Sequence, residues 1–178
     1  DVERLRAKGD TALADGLAAV GETMRRHVER ELARARRGAA PADAAAVVAA
    51  VAARVVGVVR RTPQGAALAW DIAVPAALAA RISPDDLAEV LGNLIENAAR
   101  HARGRVAVAA AADASDVVLT IVDDGPGIPA DRVGEVLARG GRLDSGGTGL
   151  GLAITHDIVT AAGGSLALGP TAPGAMTA

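Results

Sequence analysis

Between residues 11 and 37 the apolar side chains Leu13, Leu17, Val20, Met24, Val28 and Leu32 recur at spacings of three and four. That period puts them in one stripe of a helix, with charged residues such as Glu22, Arg26 and Arg30 on the other face. A helix of about 27 residues spans about 40 Å. So narrow a stripe suits a bundle or coiled coil better than a lone surface helix. GAAPAD (38–43) then breaks the pattern and offers Asp43 as the cap of a second helix, 44–61. That second segment is apolar over most of its circumference and is expected to be largely buried.

The pattern changes period after residue 61. TPQG (62–65) reads as a turn, LAWDIAV (68–74) as an alternating strand and 78–82 as a short second strand. Ser83 followed by Pro84 is a helix start, cap then first position, and the helix runs to about His101. RVAVAAAAD (105–113) and DVVLTIVDD (116–124) predict an antiparallel hairpin turning near 113–115. A Gly- and Pro-rich loop covers 125–147, a last helix 149–162 ends at Gly163-Gly164, and SLALG (165–169) is strand-like. Helices alternating with strands in this way imply an α/β fold, a two-layer sandwich of a mixed sheet with helices on one face, preceded by the long helix.

Composition narrows the classes. The 178 residues are 51% hydrophobic with 19 basic against 21 acidic side chains, a net charge of −2. That excludes a disordered chain and gives no argument for nucleic-acid binding. There is no Cys, hence no disulfide framework, thiol nucleophile or Cys-type zinc site. The longest apolar run, 44–53, is far short of the roughly 18–20 residues of a membrane span. The chain opens without Met and in mid-pattern, as a fragment would. One Trp, no Phe and no Tyr leave a core of Ala, Val and Leu without aromatic anchors.

Three segments carry candidate chemistry. In NLIENAARHA (93–102), Asn93, Asn97 and Arg100 sit at i, i+4 and i+7 on one helix face. An amide oxygen suits Mg²⁺ and a guanidinium suits phosphate oxygens, although the polar outer face of an ordinary helix explains this segment alone at least as well. DDGPGIP (123–129) follows a strand, and its Gly125 and Gly127 permit close backbone approach. Its formal match to a dinucleotide fingerprint fails, because Pro126 and Pro129 interrupt it and no helix opens there. Asp123, at a strand end before the glycines, is placed to accept from an exocyclic amine of a base. GGTGLGLAI (146–154) runs glycines into a helix start, which is either an anion site or a flexible linker. It has no lysine and is not a P-loop.

In this order and spacing the three segments resemble the ATP-binding catalytic domain of bacterial two-component sensor histidine kinases. That domain has the Bergerat fold of the GHKL superfamily, shared with gyrase B, Hsp90 and MutL. NLIENAARHA resembles the N box, DDGPGIP the first glycine box and GTGLGL (147–152) the second; LARGGRLD (137–144) is similar to the lid of PhoQ-type kinases. The resemblance covers roughly 43–169 and implies ATP and Mg²⁺ as ligands. It implies Asn97 as the Mg²⁺ ligand, with Asn93, Arg100 and the lid residue Arg142 at the phosphates. Asp123 would take the adenine amine, with Gly125, Gly127 and Ile128 along the base pocket and His101 as the flat ring beside it. Gly147, Thr148, Gly149, Leu150 and Gly151 would support the triphosphate and hinge the lid.

The resemblance further implies two domains: 1–40 as the second helix of a dimerisation hairpin, and 41–178 as the catalytic domain with its final strand cut short. It implies a response regulator receiver domain and a second copy of the chain as partners, and a cytoplasmic portion of a membrane-anchored protein. Hydrolysing members carry a Glu four residues before the metal-binding Asn. Here that position is Asn93, and an amide cannot take a proton from water, so transfer to a histidine is favoured over hydrolysis. The family's acceptor string, a His followed by an acidic residue and then a Pro, is not present: His27 precedes Val28, and His156 reads as an exposed helix residue. The fragment alone is therefore not expected to phosphorylate itself. Val133, Val136 and Leu137 stand where the family has a Phe. A non-catalytic Bergerat module that binds or dimerises without turnover is the alternative, and a GHKL ATPase a further one.

Overall fold

The computed structural model describes residues 44–128 and 151–169, together with Gly21 and Arg132. The long helix expected over 11–37 and the Asp43 cap lie outside the described residues, as does most of the glycine-rich loop.

The second helix is shorter than the 44–61 expected for it. Ala46–Val47 forms a short strand, β1, and the helix α1 spans Val48–Val59. β1 pairs antiparallel with β3 (Ala79–Ala80), Ala46 opposite Ala80, and the Val48 N–H donates to the Leu78 carbonyl at 2.9 Å. A ladder to a distant segment thus claims residues that helical periodicity would have kept. The burial expectation also needs correcting. α1 buries one stripe, Val48, Val51, Ala52, Val56 and Val59, while Val58 is 59% exposed. A two-layer domain can cover only one face of an outer helix.

TPQG is not a plain turn but the start of a one-turn helix, α2 (Pro63–Ala66), whose cap Thr62 accepts the Gly65 N–H at 3.1 Å. Gly65 has no room for a side chain, since a Cβ there would lie 2.0 Å from the Val59 carbonyl oxygen. The Gly65 carbonyl in turn accepts Trp70 Nε1 at 2.9 Å, which satisfies the indole N–H as its ring packs against the core.

Trp70 stands on β2 (Ala69–Ala73), which pairs parallel with β4 (Arg105–Asp113). β4 pairs antiparallel with β5 (Asp116–Asp123), giving a mixed sheet in the order β2-β4-β5. The hairpin turns where the sequence predicts, with Ala114 at a positive φ of 50°. A parallel neighbour requires a crossover, and the crossover here carries α3 (Pro84–His101). α3 has the expected start: Ser83 Oγ accepts the Asp86 N–H at 3.0 Å, Pro84 occupies the first turn, and Asp85 and Asp86 favour the positive end of the helix dipole.

α3 is the central helix, packed against α1, against β5 and against α4 (Gly151–Ala161). Leu87, Leu91, Ile95 and Ala98 form its buried stripe and meet Val106 and Val108 of β4 in the core. α4 ends as expected, with Gly163 at a φ of +80° and the Gly164 N–H donating back to the Val159 carbonyl at 2.9 Å. Residues 165–169 are not a strand: none of the ladders among the described residues takes them as a partner, and alternation without a sheet edge in register does not make one. No helix among the described residues is long and apolar enough to cross a membrane.

Candidate functional site

The polar face of α3 follows from its apolar one. With Leu91, Ile95 and Ala98 turned inward, helical geometry sends Asn93, Asn97 and Arg100 to the other side. Asn93 and Asn97 are half-buried and Arg100, in the last turn, is exposed. His101 closes the helix and is half-buried. From Asn93 to His101 the helix rises about 12 Å. The candidate site therefore has two ends, one at the middle of α3 and one at its C-terminus.

At the C-terminal end lies the turn that follows β5. Asp123 is the last residue of β5, and its Oδ1 accepts the Gly125 N–H at 2.9 Å, which folds the chain back on itself. Gly125 is pressed against α3: a Cβ there would lie 2.5 Å from the His101 carbonyl oxygen and 2.6 Å from Asp123 Oδ1. Only glycine allows this approach. Gly127 has a φ of +71° and open space around it, and Ile128 is half-buried. The structure thus brings His101, Asp123 and Gly125 together, 22 to 24 residues apart in sequence for the pairs with His101.

Sequence reasoning passed over Asp124, and the structure gives it the densest set of hydrogen bonds in this region. Its Oδ1 accepts three consecutive backbone N–H groups, Arg103 at 2.7 Å, Gly104 at 3.0 Å and Arg105 at 3.2 Å. These bonds, that of Gly104 foremost, hold its carboxyl below the ordinary carboxylate value of 3.8 against a partial desolvation that opposes them. Its own N–H donates to the Arg105 carbonyl at 3.3 Å. The available signal was the predicted hairpin, whose register sets residue 124 opposite residue 105, beside the N–H groups that follow the helix end.

At the other end, α4 begins against Asn93. A Cβ on Gly151 would meet Asn93 Oδ1 at 3.5 Å and Asn93 Cγ at 3.6 Å. Among the described residues, Asn93 Nδ2 is buried without a hydrogen-bond partner, and so is Thr155 Oγ1, one helical turn beyond Gly151. An unsatisfied buried donor costs free energy unless something supplies an acceptor. A phosphate oxygen would do so, and the first turn of a helix is where an anion is favoured. The residues present therefore fit a phosphate group. Asn97, one turn further along α3, offers an amide oxygen of the kind Mg²⁺ takes. Arg142, Gly147, Thr148, Gly149 and Leu150 lie outside the described residues.

Comparison with known proteins bears on this arrangement. The family model for histidine kinase-, DNA gyrase B-, and HSP90-like ATPases matches residues 82–177, more than half of the chain. The sensor protein kinase CarS of Pseudomonas aeruginosa is 43% identical over 108 residues, 60% of this chain and 22% of that protein. The two-component sensor PhoQ of the same organism is 44% identical over 84 residues, 46% of this chain and 19% of that one. The solved structure of the mycobacterial sensor histidine kinase MprB superposes with a TM-score of 0.61 at 29% identity, over 67% of this chain and 79% of that one. The chain spans about a fifth of the length of the two curated relatives.

Proposed function

The chain belongs to the histidine kinase-, DNA gyrase B-, and HSP90-like ATPase family, as an ATP-binding catalytic domain of the sensor-kinase kind, and from that premise we propose that it transfers the γ-phosphoryl group of ATP to a histidine on an acceptor helix. Residues 1–40 serve as part of the dimerisation hairpin and 41–178 as the catalytic domain. A receiver domain of a response regulator takes the phosphoryl group onward, and the whole protein works as a dimer anchored at a membrane.

Asn93 carries this reading. At the helix position where a water-activating carboxylate would sit, it presents an amide whose Nδ2 is buried and lacks an acceptor among the described residues. Such a group can donate to a phosphate oxygen but cannot deprotonate water at neutral pH. Asn97 would hold Mg²⁺ through its amide oxygen, Arg100 and the lid residue Arg142 would meet phosphate oxygens, and residues 147–151 would support the triphosphate. Bound Mg²⁺ would supply neutralisation of phosphate charge. Asp123 accepts the adenine amine on its carboxylate, with His101 alongside the ring and Gly125, Gly127 and Ile128 along the pocket. Positioning and electrostatics do the catalytic work, since the side chains form no covalent intermediate with the nucleotide.

The test is transfer in trans. The chain is mixed with γ-labelled Mg-ATP and a separate polypeptide bearing the acceptor helix of a related sensor kinase. Acid-labile label on that polypeptide is the expected result. Steady release of phosphate without an acceptor would show a hydrolase instead, and binding without transfer or release would show a non-catalytic module.

A further inference from the structure

Resting on that reading of the site, we infer that Asp124 is a positioning residue for its adenine end, acting through the backbone of Arg103, Gly104 and Arg105. Residues 102–104 are the only covalent link between the end of α3 and the start of β4. One carboxylate oxygen of Asp124 ties three successive N–H groups around that link, at 2.7, 3.0 and 3.2 Å. The same junction is held from the other side, where the Arg105 guanidinium pairs with Asp71 of β2. Asp124 therefore closes a loop running from the end of β5, through the junction, to the end of α3.

What that loop sets is the distance between two groups of the site. Asp123 is the immediate neighbour of Asp124, and His101 lies two residues before the first clamped N–H. The His101 carbonyl and the glycine turn touch backbone to backbone, so no flexible side chain can absorb a shift between them. Asp124 itself is exposed. When its carboxylate is removed the three N–H groups can turn to water, and the fold loses little. The register of α3 against the turn is what loosens. The effect should fall on ligands that bear the base and spare the phosphate end, about 12 Å along the helix.

The experiment uses the full chain, with a fluorescent ATP analogue displaced by ATP, ADP and adenosine. Asp124→Ala is expected to weaken all three by a similar factor, about tenfold, leaving the ATP-to-ADP ratio and the Mg²⁺ effect as in the parent. Asp124→Asn, whose amide oxygen can still accept the three N–H groups, should stay within about threefold of the parent. Hydrogen exchange at 103–105 should quicken in the Ala variant and not in the Asn one. Parental affinity in Asp124→Ala, or a loss confined to ATP, overturns the inference. A loss in Asp124→Asn as large as in Asp124→Ala with slow exchange retained also overturns it. Should the Ala variant fail to fold, the Asn variant decides: quickened exchange at 103–105 with adenosine affinity unchanged overturns the inference. Absence of saturable binding in the parent would instead defeat the ATP reading itself, which separates the two failures.

Discussion

Gly125 and His101 meet backbone to backbone: any Cβ on Gly125 would lie 2.5 Å from the His101 carbonyl oxygen. The turn after β5 can therefore approach the end of α3 only because no side chain stands between them. Gly125→Ala should push them apart, with a further clash at Asp123 Oδ1, 2.6 Å from the same position. Overpacking of this kind costs about 1–3 kcal/mol. Urea unfolding followed by the emission of Trp70, the sole Trp, would measure it, and ATP affinity should fall in the same variant.

Asn93 offers a sharper electrostatic test. Asn93→Asp keeps the shape of the side chain but exchanges the buried Nδ2, which has no partner among the described residues, for a carboxylate oxygen. Next to a triphosphate that oxygen repels where the amide donates. Displacement titrations should show ATP binding weakened by at least about tenfold. Tighter or unchanged binding would mean that the amide does not face phosphate.

Stability should rest on the α3 stripe and not on the outer face of α1. Leu91 is fully buried, and Leu91→Ala is expected to cost about 2–5 kcal/mol. Val58 is 59% exposed, and Val58→Ala should stay within about 0.5 kcal/mol. The pair of urea curves checks both.

Much of this was legible in the sequence where the signal was local. Ser83 and Pro84 announced α3, and the run from Arg105 to Asp123 announced a hairpin, because caps, turns and alternation act between near neighbours. Asn93, Asn97 and Arg100 could be set on one face from helical spacing alone. What escaped depends on distant partners. The first residues of the 44–61 run join Ala79–Ala80 in a ladder instead of lengthening α1. Strand-like 165–169 forms no ladder among the described residues. Asp124 carried no local signal beside Asp123, since the N–H groups it accepts from lie 19 to 21 residues earlier.

Asp124, exposed as it is, also adds a small share to the acid limb of stability. Three backbone N–H groups, that of Gly104 foremost, hold its carboxyl below the 3.8 of an ordinary Asp. A carboxyl whose folded value is depressed stabilises the fold above its unfolded value and loses that contribution as pH falls through the folded one. Stability from this group should thus be constant through neutral pH and decline only below about 3.8. Asp124→Asn should flatten that decline in urea midpoints taken from pH 2 to 6, and identical acid limbs in the two proteins would contradict the clamp.

The most direct test of the whole account is equilibrium titration of a fluorescent ATP analogue, with and without Mg²⁺, into the parent chain and into Asn97→Ala. The parent should bind saturably and about tenfold more tightly with Mg²⁺, and the variant should lose that enhancement. No saturable binding in the parent, or the same Mg²⁺ enhancement in both proteins, would contradict it.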